Sequence, residues 1–309
     1  MSTKVTKHER KMTSRGLSYM KWKHWDNSKQ ALPKSGCPVL DAGRTKAVST
    51  IQEDGITVQP SAEILSPAGQ EALKGVKEMV FAKIASPEVQ NRINAGVNAD
   101  NKKKPFLIQL VTGAQDADGP LARLALDEGM LQVVSTYLGY YPIWHDVSAW
   151  VNLPTEGEAI ESQLWHRDPE DYHVVKVFFY LGDVDEKTGP FNYVKGSHSR
   201  SKKGFKTPTY KDNVRVTDEG METAYPRGQW KQCVGPEDTL IIADTIGFHK
   251  GGKPENRPRI LVTMTYTSAN PLMGRHLVLS NRPTWSLSPL QEKVIALDFQ
   301  GKQRRLDKM

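Results

Sequence analysis

Within SQLWHRDPEDYH, residues 162–173, His166 and Asp168 stand two apart. Side chains alternate between faces along an extended chain, so residues i and i+2 project together. If QLWHRD is a strand, His166 and Asp168 share one face, and Gln163, Trp165 and Arg167 share the other. A neutral imidazole beside a carboxylate supplies two neighbouring corners of a metal coordination sphere. His249, in TIGFHKGGKPENRPRILV, offers a third. Two histidines and one carboxylate on one side of a metal leave the other positions open, which suits non-haem Fe(II) reacting with O2. A His-x-Asp triplet arises easily by chance, so its surroundings must carry the reading.

Ten residues past His249, Arg259 opens a β-like run. A planar guanidinium holds a carboxylate by two parallel hydrogen bonds, which lysine cannot reproduce. An enzyme that chelates 2-oxoglutarate through its keto-acid end needs such a clamp at the far carboxylate. Arg257 competes for this role from two residues earlier; Arg259 is preferred because it starts the strand after a proline. Gln163, Ser148 and Lys176 either reach the cosubstrate from neighbouring segments or are satisfied within the sheet. His198 reads as a turn residue, and His145 and His173 as structural.

The run HRDPEDYHVVKVFFYLGDVDEKTGPFNYVKGSHS, followed by GFHKGGKPENRPRILV, resembles the phytanoyl-CoA dioxygenase family of Fe(II)/2-oxoglutarate oxygenases. The matching elements are His166/Asp168, the Leu181-Gly182-Asp183-Val184 turn, Gly189-Pro190, Gly196-Ser197-His198, His249 and Arg259. The helix-like LARLALDEGMLQVVSTYLGYYPI also resembles the family's helix before its first core strand. The likeness spans about residues 120–270 and is absent from the N-terminal arm. Lys195 departs from the family's usual proline before Gly-Ser-His, which touches a turn and no ligand. The resemblance implies a double-stranded β-helix and a reaction in which 2-oxoglutarate and O2 yield succinate, CO2 and a hydroxylated substrate. It also implies that His166, Asp168 and His249 hold the iron and that Arg259 anchors the cosubstrate. A halogenase of this fold would carry a small residue at the carboxylate position, so Asp168 argues against one. A catalytically idle, cupin-like metal-binding protein and a nucleic-acid-directed oxygenase are the other readings. The chain shows no evident aromatic and basic surface for reading bases.

The elements that must position these residues are legible in outline. Ser66-Pro67 and Ser86-Pro87 are helix starts, a capping serine followed by proline in the first turn. Leu73, Val76, Met79, Val80 and Ile84 form one apolar stripe after the first. PFLIQLV reads as a strand, and residues 119–139 as one amphipathic helix stopped by Gly139. From Tyr140 on, short β-branched and aromatic segments alternate with turn residues, the pattern of an antiparallel sandwich or barrel. Helices followed by strands give an α+β order: a mainly β jelly-roll core with flanking N-terminal helices. The expected organisation is a loosely structured basic arm over 1–50, one domain over 51–300 and a basic tail over 301–309. Within the domain, helices fill 62–138 and the β core 140–270, with a polar insertion at 199–236.

The chain has 309 residues, a net charge of +7 and two cysteines. Cys37 and Cys233 are too few for a disulfide framework and read as buried thiols. With no long apolar run and no secretory apolar stretch near the start, a cytoplasmic protein without a membrane span is expected. Positive charge gathers in the arm, the tail and residues 200–216, leaving the body mildly acidic. Two readings of 200–216 stand. It is a solvated loop, or it brings Lys202, Lys203 and Lys206 to the cavity entrance, where they favour an anionic small-molecule substrate. Substrate identity and oligomeric state are not legible.

Overall fold

The computed structural model describes residues 19–20, 31–32, 38–96, 102–111, 113–201, 204–212, 214–273 and 279–295. In chain order the elements are α1 (Ala42–Asp54), β1 (Ile56–Pro60), α2 (Pro67–Ile84), α3 (Pro87–Asn94), β2 (Leu107–Val111), α4 (Pro120–Ala125) and α5 (Glu128–Leu138). They continue with β3 (Ile143–Asn152), β4 (Val175–Tyr180), β5 (Phe191–Val194), α6 (Asp218–Glu222), β6 (Trp230–Cys233), β7 (Thr239–Asp244), β8 (His249–Gly251) and β9 (Arg259–Thr267).

Two antiparallel sheets face each other. The larger has the order β1-β7-β4-β9-β3-β2, the smaller β6-β5-β8. Strand parity sorts the large sheet's side chains into two layers. Val175, Val177 and Phe179 of β4, Leu240 and Ile242 of β7, and Val262 and Met264 of β9 pack against the helices. Phe178, Tyr180, Ile241, Ala243 and Leu261 turn the other way and meet Phe191, Tyr193 and Cys233 of the small sheet. The helices therefore brace one face and leave the inter-sheet space for the functional side chains. Burial pushes the Cys233 thiol up to about 12, so it is an inert apolar group. Cys37 lies outside the described residues.

Local chemistry explains the helix boundaries. Ser66 Oγ accepts from Gly69 N at 3.1 Å, and Ser86 Oγ accepts from Val89 N at 3.4 Å. Gly139 ends α5 at φ 78°, a left-handed conformation that glycine adopts without strain.

Three expectations change. Residues 42–50 belong to α1, capped by Asp41, which accepts from Arg44 N at 2.9 Å; the loosely structured arm does not extend to residue 50. Residues 1–18 and 21–30 of the arm, and the tail 301–309, lie outside the described residues. The single helix expected over 119–139 is two, because Asp127 accepts from Met130 N at 2.9 Å to cap α5 and from Ser66 N at 3.1 Å. QLWHRD is not a ladder strand. Glu161–Gln163 is a 3-10 turn, and only isolated bridges join Trp165 to Val216 and His166 to His249. The described part of the insertion at 199–236, whose order the sequence leaves open, contributes α6 and β6, and its Val216, Met221 and Tyr225 pack with Trp165 and Phe248.

Candidate metal centre and cosubstrate cavity

His166 and His249 come from segments far apart in sequence, yet their backbones exchange hydrogen bonds. His166 N donates to His249 O at 2.9 Å and His249 N donates to His166 O at 3.0 Å. The rings follow, with centroids 4.3 Å apart. Asp168 is held nearby through its backbone, since Asp168 N donates to Thr245 O at 2.9 Å. Gly247 makes this approach possible: a Cβ there would collide with the Tyr193 hydroxyl and crowd Ser197.

The three side chains converge. His166 Nε2 lies 3.9 Å from Asp168 Oδ1 and His249 Nε2 lies 3.5 Å from Asp168 Oδ2. The potential ligand atoms all fall within 4.8 Å of one another. His166 Nδ1 donates to Leu164 O at 2.8 Å and His249 Nδ1 donates to Gly247 O at 3.0 Å. A carbonyl can only accept, so each Nδ1 carries the hydrogen and each Nε2 keeps its lone pair toward the centre. Burial, with His249 alongside, holds His166 well below the ordinary imidazole range, and burial lowers His249 too. Both rings are therefore neutral. Burial alone would raise Asp168, but Lys176, His249 and His166 together hold it well below the usual carboxylate range. Asp168 Oδ2 has Lys176 Nζ at 2.8 Å as an ion pair but accepts no aligned hydrogen bond. Two neutral imidazoles and an ionised carboxylate, their ligand atoms within 4.8 Å of one another, fit a divalent iron.

The triad lines a cavity of about 490 Å³ between the sheets. Arg259 lies at its buried end, where β9 begins opposite Asn152 of β3. Arg259 Nη2 donates to Asn152 Oδ1 at 3.3 Å, while Nε and Nη1 have no partner although the residue is only 4% exposed. Burial lowers its pKa, but a guanidinium stays charged. A buried cation with two free N–H groups facing a cavity fits a bound carboxylate. Arg257 is placed otherwise. It lies on the surface, paired to Asp185 at 3.3 Å and donating to Thr188 Oγ1 at 3.2 Å.

The remaining expected site residues divide. Lys176 lines the cavity, but its ammonium is held by Asp168 and by Glu170 Oε1 at 3.1 Å. Gln163 and Ser148 are not among the lining residues. Gln163 sits in the 3-10 turn and accepts from Ile160 N at 3.1 Å, which turns its amide onto its own backbone. Ser148 lies on the cavity-side face of β3 but beyond the lining, where it accepts from Gln109 Nε2 at 3.4 Å. Lys206 packs its ammonium over the Tyr225 ring at 5.9 Å, away from the cavity; Lys202 and Lys203 lie outside the described residues. His198 is buried, 3.3 Å from Gln52 O; His145 sits 3.3 Å from Thr267 Oγ1, and His173 stacks on Tyr140. Sequence reasoning missed Asn152, Trp150, Tyr180, Lys104 and Arg215, all of which line the cavity. For Trp150 and Asn152, strand parity with Ser148 was a usable signal. For Arg215 its place in the basic stretch 200–216 was a signal; for Lys104 there was none.

The family model for phytanoyl-CoA dioxygenase (PhyH) matches residues 51–253, about two thirds of the chain. The chain belongs to this family. Among solved structures, EctD from S. alaskensis with 2-oxoglutarate and 5-hydroxyectoine is 17% identical, at 81% coverage of this chain and 84% of its own, with a TM-score of 0.51. The epimerase SnoN in complex with Fe3+, alpha ketoglutarate and nogalamycin RO is 15% identical, at 80% and 93% coverage and a TM-score of 0.51. AviO1 from Streptomyces viridochromogenes Tue57 is 17% identical, at 77% and 99% coverage and a TM-score of 0.51. At such identities the likeness establishes the fold, the double-stranded β-helix. No curated protein matches the chain significantly. This phytanoyl-CoA dioxygenase family member is an oxygenase of the iron and 2-oxoglutarate type, with a His-Asp-His metal-binding group. No helix among the described residues is long and apolar enough to cross a membrane.

Proposed function

We propose that the protein hydroxylates an unactivated C–H bond of a small molecule, with succinate and CO2 released from 2-oxoglutarate. The observation that carries this reading is the pairing, in one cavity, of the triad with a buried Arg259 whose Nε and Nη1 lack partners. His166, Asp168 and His249 would hold the iron, and Arg259 would take the far carboxylate of the cosubstrate by a two-point contact. When bound, iron and 2-oxoglutarate supply the oxidising power toward O2.

The chain's own residues do the rest. The two Nδ1–H bonds fix the imidazole rings, so the ligands need little reorganisation. Asn152 holds one Nη2 hydrogen of the Arg259 guanidinium, so a two-point contact with the cosubstrate would pair the other Nη2 hydrogen with Nη1 or Nε. Phe178, Phe191 and Leu261 line the inner part of the cavity and exclude water, which protects a reactive site from side reactions. Lys176 keeps Asp168 ionised and oriented.

The test is aerobic incubation with iron and 2-oxoglutarate, following succinate, alone and against a panel of small molecules. Succinate formation that needs both cofactors and is stimulated by a panel member supports the reading. A wild-type protein that binds neither iron nor 2-oxoglutarate overturns it.

A further inference from the structure

Asp244 ends β7 and His249 begins β8. The short turn between them holds the triad through three successive carbonyls. Thr245 O accepts from Asp168 N at 2.9 Å, Ile246 O accepts from Arg167 Nε, and Gly247 O accepts from His249 Nδ1 at 3.0 Å. A displaced turn would move Asp168 through its backbone and His249 through its ring. His166 would follow His249, since their backbones are paired.

Asp244 fixes this turn from both sides. Its carboxyl group is fully buried, and Oδ1 accepts from Ile246 N at 3.1 Å, which ties the middle of the turn to its first residue. Oδ2 accepts from Tyr137 Oη at 2.6 Å, which ties the turn to α5. The backbone of Asp244 is fully engaged as well. Its N donates to Gly55 O at 2.8 Å, and its O accepts from Gly247 N at 3.0 Å and from Tyr193 Oη at 2.7 Å. Tyr137 is held in turn: it is buried, and Arg200 donates Nη1 to Tyr137 O at 2.6 Å with its guanidinium 5.0 Å over the ring. Burying a carboxyl group is costly unless its oxygens are hydrogen-bonded. Here both oxygens are, and what they connect is the helix layer and the segment that carries the ligands.

We propose that Asp244 and Tyr137 are positioning residues for the metal centre. Through the Thr245–Gly247 turn they set the spacing of Asp168 and His249, and so couple the position of α5 to the affinity for metal. This rests on His166, Asp168 and His249 being the metal ligands. Outer groups that orient metal ligands change affinity about 10–100-fold when they are removed. Tyr137 belongs to this class although it lies on a helix, because one carboxyl group links its hydroxyl to the turn. Removing that hydroxyl leaves a buried oxygen of Asp244 without its partner, and the oxygen keeps its full desolvation cost.

The test is titration of the metal-free full chain with Co(II), a divalent ion whose visible absorption depends on how its ligands are arranged. Tyr137→Phe removes the bond to Oδ2 alone; it weakens Co(II) binding about tenfold and alters the spectrum. Asp244→Leu removes both side-chain bonds and has the larger effect. Asp244→Asn recovers most of the affinity, because its Oδ1 still accepts from Ile246 N and its amide donates to the Tyr137 hydroxyl. Tyr266→Phe is the control: it removes a buried hydroxyl bond of the same 2.6 Å length, to Ala125 O, which joins β9 to α4. It lowers stability and leaves the Co(II) affinity and spectrum unchanged, whereas a merely structural role for Tyr137 would make the two Tyr→Phe variants alike. If Asp244→Leu does not fold, Tyr137→Phe still decides. Wild-type affinity and spectrum in Tyr137→Phe, or an equal effect in Tyr266→Phe, overturns the inference. A wild type that binds no Co(II) would instead count against the ligand assignment.

Discussion

Lys176 Nζ lies 2.8 Å from Asp168 Oδ2, so the carboxylate of the metal triad already has a cation before any metal arrives. Both side chains are mostly buried, at 18% and 8% exposure. Removing one partner of such a pair leaves an uncompensated charge, at a cost of roughly 3–5 kcal/mol. Lys176→Met should therefore lower the stability of the metal-free protein by about that much. Iron supplies a replacement cation, so the loss should shrink when iron is added. Denaturation with and without Fe(II) reads both values; an equal loss in the two states would show that the pair has no bearing on the metal.

His166→Ala and His249→Ala should each abolish iron binding. Metal at a hundred times its dissociation constant stabilises a protein by about 2.7 kcal/mol. The melting temperature of the wild type should rise with Fe(II), and that of either variant should not. Full iron occupancy in both variants would refute the ligand assignment.

Arg259→Leu should keep iron and lose affinity for 2-oxoglutarate. Leaving a buried, charge-assisted carboxylate contact half-made costs about 2–5 kcal/mol, which is roughly thirtyfold or more in affinity. Arg257→Leu, which removes a surface pair with Asp185, should leave that affinity unchanged. The reverse pattern would move the clamp to Arg257.

Asp244 provides a pH-dependent readout at a group that is not itself a ligand. It is fully buried, accepts from Tyr137 Oη at 2.6 Å and from Ile246 N at 3.1 Å, and has Tyr193, His198 and Arg200 around it. Burial raises its carboxyl despite the Tyr137 hydrogen bond and the nearby His198. A raised folded-state pKa means the folded state holds the proton more tightly than the unfolded one. The associated stability is full below the unfolded value and is lost as pH rises through the folded one. Asp244→Asn keeps the shape and removes the titration. The wild type should thus lose stability relative to this variant as pH rises above about 4, followed by thermal melts; a pH-independent difference would mean that Asp244 is not shifted.

Asp218 joins the insertion to the site. Its Oδ1 accepts from Trp165 Nε1 at 2.7 Å and from Lys250 Nζ, and each of these residues adjoins a metal ligand. Asp218→Ala should weaken iron binding by about 10–100-fold, as for other outer-shell partners. Iron titration reads this directly, and wild-type affinity would return Asp218 to a purely structural role.

The candidate site was legible where its side chains follow a local pattern. His166 and Asp168 stand two apart, Arg259 follows His249 by ten residues, and the structure brings His166, Asp168 and His249 together as a group that could hold a metal. The β-branched and aromatic run VKVFFY likewise marked a strand, which is β4. What escaped depends on distant partners. Asp127 breaks a continuous helical pattern because it is bonded to Ser66, 61 residues earlier. QLWHRD was read as a strand, yet His166 has one bridge, to His249, and its neighbours follow a turn. Gln163 is not a lining residue because it sits in a local 3-10 turn, and Ser148 because it lies too far along a strand whose facing side parity does give. Lys104 and Arg215 lie in polar stretches with no periodicity, and only tertiary folding brings them to the cavity lining.

The reciprocal backbone bonds between His166 and His249 have a kinetic consequence. The two residues are 83 positions apart (166 to 249), so the site comes into being only when a long loop closes. The entropic cost of that closure precedes any gain from the metal. Iron therefore has no organised site in a partly folded chain. Its stabilisation falls on the native side of the folding barrier, so metal should slow unfolding and leave the folding rate nearly unchanged. A cell that makes this protein while starved of iron would still obtain the fold, but with a shorter-lived native state.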